Sequence, residues 1–296
     1  MEAIKYENAH YHYSEVFWGK EAGREYENRA DQQAVSYAIS AHTEWIADFG
    51  GGFGRLIPVL KTKASKIILV DASLDLLREA RETHGVNPNI YYVRANLYHL
   101  PFHDDSIESA ICMRVMHHIE TPNIFLNEIN RVISNRLNLE FPNKSHLLQR
   151  LRKYFFGDVS INTDSTTPQM RNGMFLNFSL AYIRDCILQN TEFMIEKVFG
   201  VSFLRHRIFK QKIPLFILIA AEKMLQRFSF LATWAPSIMI RMAKINTKKH
   251  HTYNSIEEMF ACPQCQLMLV QKNMSFECIN GHAFEVSDGI FDFYIE

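Results

Sequence analysis

The 296-residue sequence predicts an α/β fold, a mostly parallel sheet with helices on both faces, followed by a small C-terminal module. Three observations predict it. Short apolar strands alternate with helical stretches of ten to fifteen residues from position 44 to 141. A glycine cluster, FGGGFG at 49–54, joins the first strand to the helical pattern that follows. Three of the five cysteines gather with a histidine near the C-terminus at metal-ligand spacing.

Taken in order, residues 1–43 read as helical and aromatic-rich, with Arg24, Glu25, Glu27 and Arg29 on polar faces. A strand at 44–48 runs into the glycine cluster, after which Leu56, Val59 and Leu60 recur at helical spacing. Strands follow at 66–70 and 90–93, separated by a helix over 75–84. A fourth strand, 109–113, precedes a helix at 123–134 and a fifth strand at 137–141, with Asn135 and Arg136 as the connection. Beyond Pro142 a polar stretch, INTDSTTPQMRNG, reads as a mobile loop or lid within 143–175. A helix over 177–188, a strand-like 193–199, helices filling about 208–228 and a last strand at 237–242 complete the expectation. The chain thus divides into a main domain, 1–245, a polar linker, 246–256, and a ribbon, 257–296. Within the main domain, 1–43 forms a helical lid and 143–235 a variable helical region.

With 47% apolar and 22% charged residues the chain is globular rather than disordered. Its 32 basic and 32 acidic residues cancel, so overall charge selects no partner, although basic residues prevail by roughly three to one between Lys144 and His251. The N-terminal stretch has no apolar segment of the signal-peptide kind. The longest apolar run, IPLFILIAA at 213–221, falls short of the roughly 20 residues a membrane-crossing helix needs. With no disulfide framework, a cytoplasmic location is expected.

The glycines at 50, 52 and 54 let the backbone turn sharply and approach a ligand, and Asp71, at the tip of the next strand, can accept from a ribose diol. A nicotinamide-type loop wants G-x-G-x-x-G, but counting from Gly50 the third glycine position is Arg55. The run from Asp48 is instead D-x-G-x-G-x-G. With Val70-Asp71-Ala72-Ser73, the NLYHLPFHDDS run at 96–106 and Met113-Arg114-Val115-Met116-His117-His118, it resembles the class I S-adenosylmethionine-dependent methyltransferases, in their small-molecule branch. The resemblance covers roughly 44–141 and implies a Rossmann-like sheet and S-adenosyl-L-methionine as cofactor.

It further implies that Gly50, Gly52 and Gly54 line the methionine part of the cofactor, with Asp48 toward its amino group. Asp71 would hold the ribose hydroxyls, Ser73 and Leu74 would lie near the adenine, Asn96 would accept from the adenine amino group, and the Leu97 backbone would touch the ring. Arg114 would border the methionine end. The sequence departs from the family at Phe53, where a small polar residue is usual, at the short connection before the fifth strand, and at Thr191-Glu192-Phe193, where a Gly-Phe pair is usual.

Methyl transfer from a sulfonium is an in-line displacement that depends on positioning, with or without a base. His117 and His118 stand where a base would be placed; the alternative is one histidine packed in the core and one capping a helix. The Pro-Pro-Tyr-type segment of amide and adenine methylation is missing after the fourth strand, and Cys112 reads as a core thiol rather than a nucleophile. Tyr11, Tyr13, Phe17 and Trp18 form a lid over the cofactor or, more simply, helix packing.

Cys262 and Cys265, then Cys278 and His282, offer three thiolates and an imidazole, a closed tetrahedral set for structural Zn2+. A segment this short buries little core, so metal would supply its stability. The tail resembles zinc ribbons found in or beside some rRNA and tRNA methyltransferases. The function expected is methyl transfer to an O or N atom of an unidentified acceptor, a small or lipid-like molecule ahead of RNA. The alternatives are an rRNA or tRNA base methyltransferase that recognises RNA through the ribbon and basic stretches, and a non-catalytic scaffold. The helical region 213–231 is expected to line an apolar acceptor pocket or rest peripherally on a membrane.

Overall fold

A computed structural model describes residues 18, 23–157, 167–171, 175–245 and 253–296. Helix α1 (Glu25–Ala38) precedes the first strand, β1 (Thr43–Phe49). Short α2 (Ile57–Leu60), with a proline in its first turn, leads to β2 (Ala64–Asp71). Helix α3 (Leu74–His84) opens on Ser73, whose hydroxyl accepts from the Leu76 amide, and closes at Gly85 with φ +72°. Strands β3 (Ile90–Arg94) and β4 (Ile107–Cys112) follow, then α4 (Pro122–Val132) and β5 (Ile133–Pro142).

Within the region 143–235 expected to be helical stands α5 (Leu147–Phe156). Of the polar stretch 161–173 expected as a loop or lid, 161–166 and 172–173 lie outside the described residues, and the remainder includes β6 (Gln169–Arg171), which pairs with β7 (Phe175–Asn177). Helix α6 (Leu180–Asn190), β8 (Phe193–Val201), α7 (Arg207–Lys212), α8 (Leu215–Leu225) and β9 (Ser237–Lys244) complete the main body. The expected helical stretch 208–228 is two helices because Pro214 cannot continue the first. The C-terminal module contributes β10 (Leu269–Lys272), β11 (Ser275–Cys278), β12 (Ala283–Ser287) and β13 (Ile290–Asp292).

The principal sheet runs β10-β11-β12-β13-β3-β2-β1-β4-β5-β9-β8. Strands β3, β2, β1, β4 and β5 are parallel, and β9 reverses direction between β5 and β8. Side chains alternate between two cores: Trp45, Ala47 and Phe49 go to one face and Ile46 to the other, while Ile68 and Val70 oppose Ile67 and Leu69. Such a sheet needs apolar residues on both faces, which is why β1 and β2 are nearly continuous apolar runs.

Two expectations change here. The connection before the fifth strand does not exist as a turn, because α4 ends at Val132 and β5 begins at Ile133. Ile133 pairs with Ile107 and Arg136 with Ser109, so β5 spends one more residue than β4 over the same span. That bulge takes up the change of direction that a glycine turn would make. The C-terminal module is also continuous with the main body. Its strand β13 pairs in parallel with β3, and Arg94 binds Asp292 at 3.0 Å. Phe260 packs on Phe102 and Phe293, at ring distances of 5.7 and 4.6 Å. The module therefore covers what would otherwise be the open β3 edge of the sheet.

Candidate functional site

The parallel strands deliver their C-terminal ends to one rim, the position at which open α/β sheets bind ligands. Asp48 stands next to the last residue of β1 there and is buried, and its Oδ2 has no hydrogen-bond partner among the described residues. Burial pushes its carboxyl up to about 7; Arg55 pulls it back down and Asp71 adds to the rise. The loop that follows takes positive φ at Gly50, Gly52 and Gly54 (+71°, +53° and +76°). A Cβ on Gly50 would stand 2.2 Å from Val115 Cγ2, so this residue must be glycine for the close approach as well as for the turn.

Asp71 fastens the loop. Its Oδ2 accepts from the Gly52 amide at 2.8 Å and its Oδ1 from the Ser73 amide at 2.9 Å. Each carboxylate oxygen retains capacity for a further donor. The hydroxyl of Ser73 is committed to capping α3. At the end of β3 the Ala95 amide bonds the Asp71 carbonyl, which sets Asn96 and Leu97 beside the loop. The Asn96 amide oxygen accepts from the Tyr98 amide at 3.0 Å, and its nitrogen donates to the Ile295 carbonyl of the C-terminal module at 3.2 Å.

Arg114, after β4, adopts φ +61°. A non-glycine residue holds that conformation only when its surroundings dictate it, and here they do. Its guanidinium grips buried Asp31 of α1 with two bonds, 3.1 and 2.8 Å, and donates to Ser202 and Ser237. Its amide donates to Glu140 Oε2 at 2.9 Å. Arg55 meets the same Asp31 Oδ2 at 3.1 Å and lies over the Trp18 ring at 4.2 Å. Three buried carboxylates, Asp31, Asp48 and Glu140, thus face two guanidiniums, and Glu140 Oε1 makes no hydrogen bond among the described residues. Once Asp48 is ionised, this end of the rim carries an uncompensated negative charge.

His117 and His118 form a 3-10 turn, with rings 3.9 Å apart and Phe175 at 5.3 and 5.4 Å from them. Burial, His118 and Arg114 hold the His117 imidazole down to about 3, and burial also lowers His118. His117 is therefore neutral at physiological pH, an acceptor of hydrogen bonds but a weak base. Cys112 is fully buried in β4, with its thiol pushed well up by burial. Tyr11, Tyr13 and Phe17 lie outside the described residues.

Sequence reasoning missed Asp31, Arg55 and Glu140. Asp31 sits in a helix of mixed polarity and gave no signal. Glu140 did, since Leu137, Leu139 and Phe141 alternate with Asn138 and Glu140 in a strand buried on both faces. An acid in such a place must be paired or face a ligand.

In the module, ligand atoms of Cys262, Cys265, Cys278 and His282 lie within 4.8 Å of one another. Cys265 and Cys278 sulfurs are 3.8 Å apart, and His282 Nδ1 is 3.4 Å from the sulfurs of both Cys262 and Cys278. Tetrahedral zinc requires edges of about 3.8 Å between sulfurs and about 3.6 Å between sulfur and nitrogen. The four residues fit that ion.

Residues 47–136 match the family model described as a methyltransferase domain. An uncharacterized protein of Methanocaldococcus jannaschii is 30% identical over 118 residues, 39% of this chain and 47% of that one. The chain thus spans about half the length of this curated relative. A methyltransferase of Listeria monocytogenes shares the fold at TM-score 0.50 and 14% identity, over 74% of this chain and 99% of that one. A complex of a Haloferax volcanii methyltransferase with a methyltransferase activator gives TM-score 0.52 at 13% identity, over 80% and 100%. A Thermotoga maritima methyltransferase gives TM-score 0.52 at 16%, over 78% and 98%. Residues 47–136 are a class I S-adenosylmethionine-dependent methyltransferase domain, in a chain whose C-terminal Cys3His cluster has the donors and dimensions of a zinc site.

Proposed function

We propose that this chain transfers the methyl group of S-adenosylmethionine to an O or N atom of a small or lipid-like acceptor. The observation that carries the reading is the charge at the methionine end of the rim. A dinucleotide would bring a pyrophosphate to the glycine loop, against the field of Asp31, Asp48 and Glu140. S-adenosylmethionine brings an ammonium and a sulfonium, which that field favours. In this reading Asp48 accepts from the ammonium, Asp71 uses its spare lone pairs for the ribose hydroxyls, and the Leu97 backbone borders the adenine. The Asn96 oxygen, shared with Tyr98, keeps a second lone pair for the adenine amino group. Arg114 acts by holding Asp31 and Glu140 in place.

When bound, the cofactor supplies the electrophilic methyl group. The chain itself positions the acceptor beside His117 and Phe175, where a neutral imidazole orients a hydroxyl or amine by accepting its proton in a hydrogen bond. The C-terminal module serves as a built-in support for the adenine side, through the β13–β3 pairing and the Asn96–Ile295 bond. Zinc would hold that module folded through Cys262, Cys265, Cys278 and His282.

The test is calorimetric titration of S-adenosylmethionine and of NAD into the zinc-loaded chain, with Asp71→Ala as control. Binding of the former alone, weakened at least tenfold by the substitution, is expected. Binding of NAD, or no effect of Asp71→Ala, would overturn the cofactor assignment.

A further inference from the structure

One face of the molecule pairs exposed apolar side chains with charge of a single sign. It comprises α5, the segment from α7 through α8, and the turn Ser229–Trp234, against which α5 packs. Tyr154 and Phe155 on α5 are 82% and 70% exposed, Phe216 on α8 is 74% and Phe230 in the turn 75%, with Ile217 and Trp234 also exposed. Scattered apolar residues on a surface are ordinary, but a run of aromatics on adjoining elements is not. Residues 145–157 contain three Lys or Arg and no carboxylate, Lys144 before them being buried; residues 203–236 contain six and one carboxylate, Glu222, which is buried. Arg150, Arg207, Lys212, Lys223 and Arg227 are exposed, while Lys210 pairs with Glu27 of α1. The chain as a whole is neutral, so this is a local concentration of positive charge.

We propose that this face rests on an anionic lipid surface, with the aromatic and aliphatic side chains in the headgroup region and the cations against the phosphates. Two other occupants fit less well. A second copy docked about a two-fold axis would set the same positive face against itself. A nucleic acid would satisfy the cations and stack on rings, but leave Leu148, Leu151 and Ile217 with nothing to gain. No helix among the described residues is long and apolar enough to cross a membrane, so the contact is peripheral.

The placement deepens the lipid-like acceptor reading and rests on it for its biological purpose. Asn143, at the end of β5, bonds the carbonyls of Thr233 and Ala235, and Phe175 reaches His117 and His118. The end of β5, on the acceptor side of the rim, is thus tied directly to the turn of this face, which gives an acceptor dissolved in the bilayer a short path to it.

Sedimentation of the full zinc-loaded chain with vesicles, without cofactor, tests the contact apart from the activity. Binding to vesicles of phosphatidylglycerol and phosphatidylcholine, weak binding to phosphatidylcholine alone, and loss of binding at high salt are expected. Lys212→Gln and Arg227→Gln should each lower partitioning about fivefold. Phe155→Ser with Phe230→Ser should lower it at least about tenfold, with cofactor binding by calorimetry unchanged. All four side chains are solvent-facing, so thermal melting of the variants should match the parent. No sedimentation with either vesicle would overturn the proposal, as would partitioning indifferent to both substitution sets. Salt-sensitive binding of an RNA oligonucleotide without vesicle binding would overturn it in favour of a nucleic-acid face. Cofactor binding without vesicle binding would leave the methyltransferase reading standing alone.

Discussion

Asp48→Asn separates what the buried carboxyl does to the fold from what it does for the cofactor. A carboxyl whose pKa stands at about 7 rather than its ordinary 3.8 binds its proton more tightly in the folded chain than in the unfolded one. Its contribution to stability is complete below pH 3.8 and is lost as pH rises through 7. Holding it ionised above that point costs the fold about 4 kcal/mol, and less than half as much at pH 5. The amide does not ionise, so the cofactor-free variant should melt higher than the parent at pH 8, by roughly 8 °C at most, with a smaller gain at pH 5. Cofactor binding should move the opposite way. Losing a charge-assisted bond to the ammonium should weaken S-adenosylmethionine about 10- to 100-fold at pH 8. In the parent, binding near pH 6 should release up to one proton, read by calorimetry in buffers of different ionisation enthalpy; in the variant it should release none. A stability gain equal at both pH values, or unaltered proton release in the variant, would refute the reasoning.

Other outcomes follow from the same geometry. Asp31→Asn should destabilise the chain by about 3–5 kcal/mol in denaturant titration, because it leaves Arg55 and Arg114 buried against a neutral partner; a loss below 1 kcal/mol would count against the network. Gly50→Ala, whose Cβ meets Val115, should abolish cofactor binding, whereas Gly85→Ala, with nothing within 4 Å but a backbone conformation that glycine alone adopts readily, should cost about 1–3 kcal/mol of stability and leave binding intact. With His117 held to about 3, its stability contribution is present above pH 6.5 and lost as pH falls toward 3, so it should produce no break in rate between pH 7 and 9; a break there removed by His117→Gln would show it titrating as a base. Cys278→Ser should release the module, raise hydrogen exchange in β3 and weaken cofactor binding; unchanged exchange in β3 would mean that the edge stands without it.

The alternation of apolar strands with helical periods announced the parallel sheet, since strands buried on both faces must be apolar almost throughout. Asp48, the three glycines and Asp71 were legible for a related reason: local backbone demands at a strand-to-helix turn admit few residue types. The cysteine spacing announced the Cys3His cluster because four donors within one short segment are brought together by local geometry. The bounds of α5, before the polar stretch 161–173, were not legible: its pattern leaves Leu147, Leu148, Leu151, Tyr154 and Phe155 exposed, and a reading that expects apolar faces to be buried passes over such a helix.

What sequence alone determined about this chain is therefore whatever is written within a few neighbouring residues: strand and helix periods, the glycine turn, the cysteine and histidine knuckles. Only the tertiary structure decided which distant residues meet. It brought Asp31 from α1 to Arg55 and Arg114, set Glu140 across from Arg114, and laid β13 along β3 so that Ile295 reaches Asn96. Charge acts through space and its strength depends on burial, so the electrostatic character of the rim and the support of its β3 side belong to the folded chain and to no single segment.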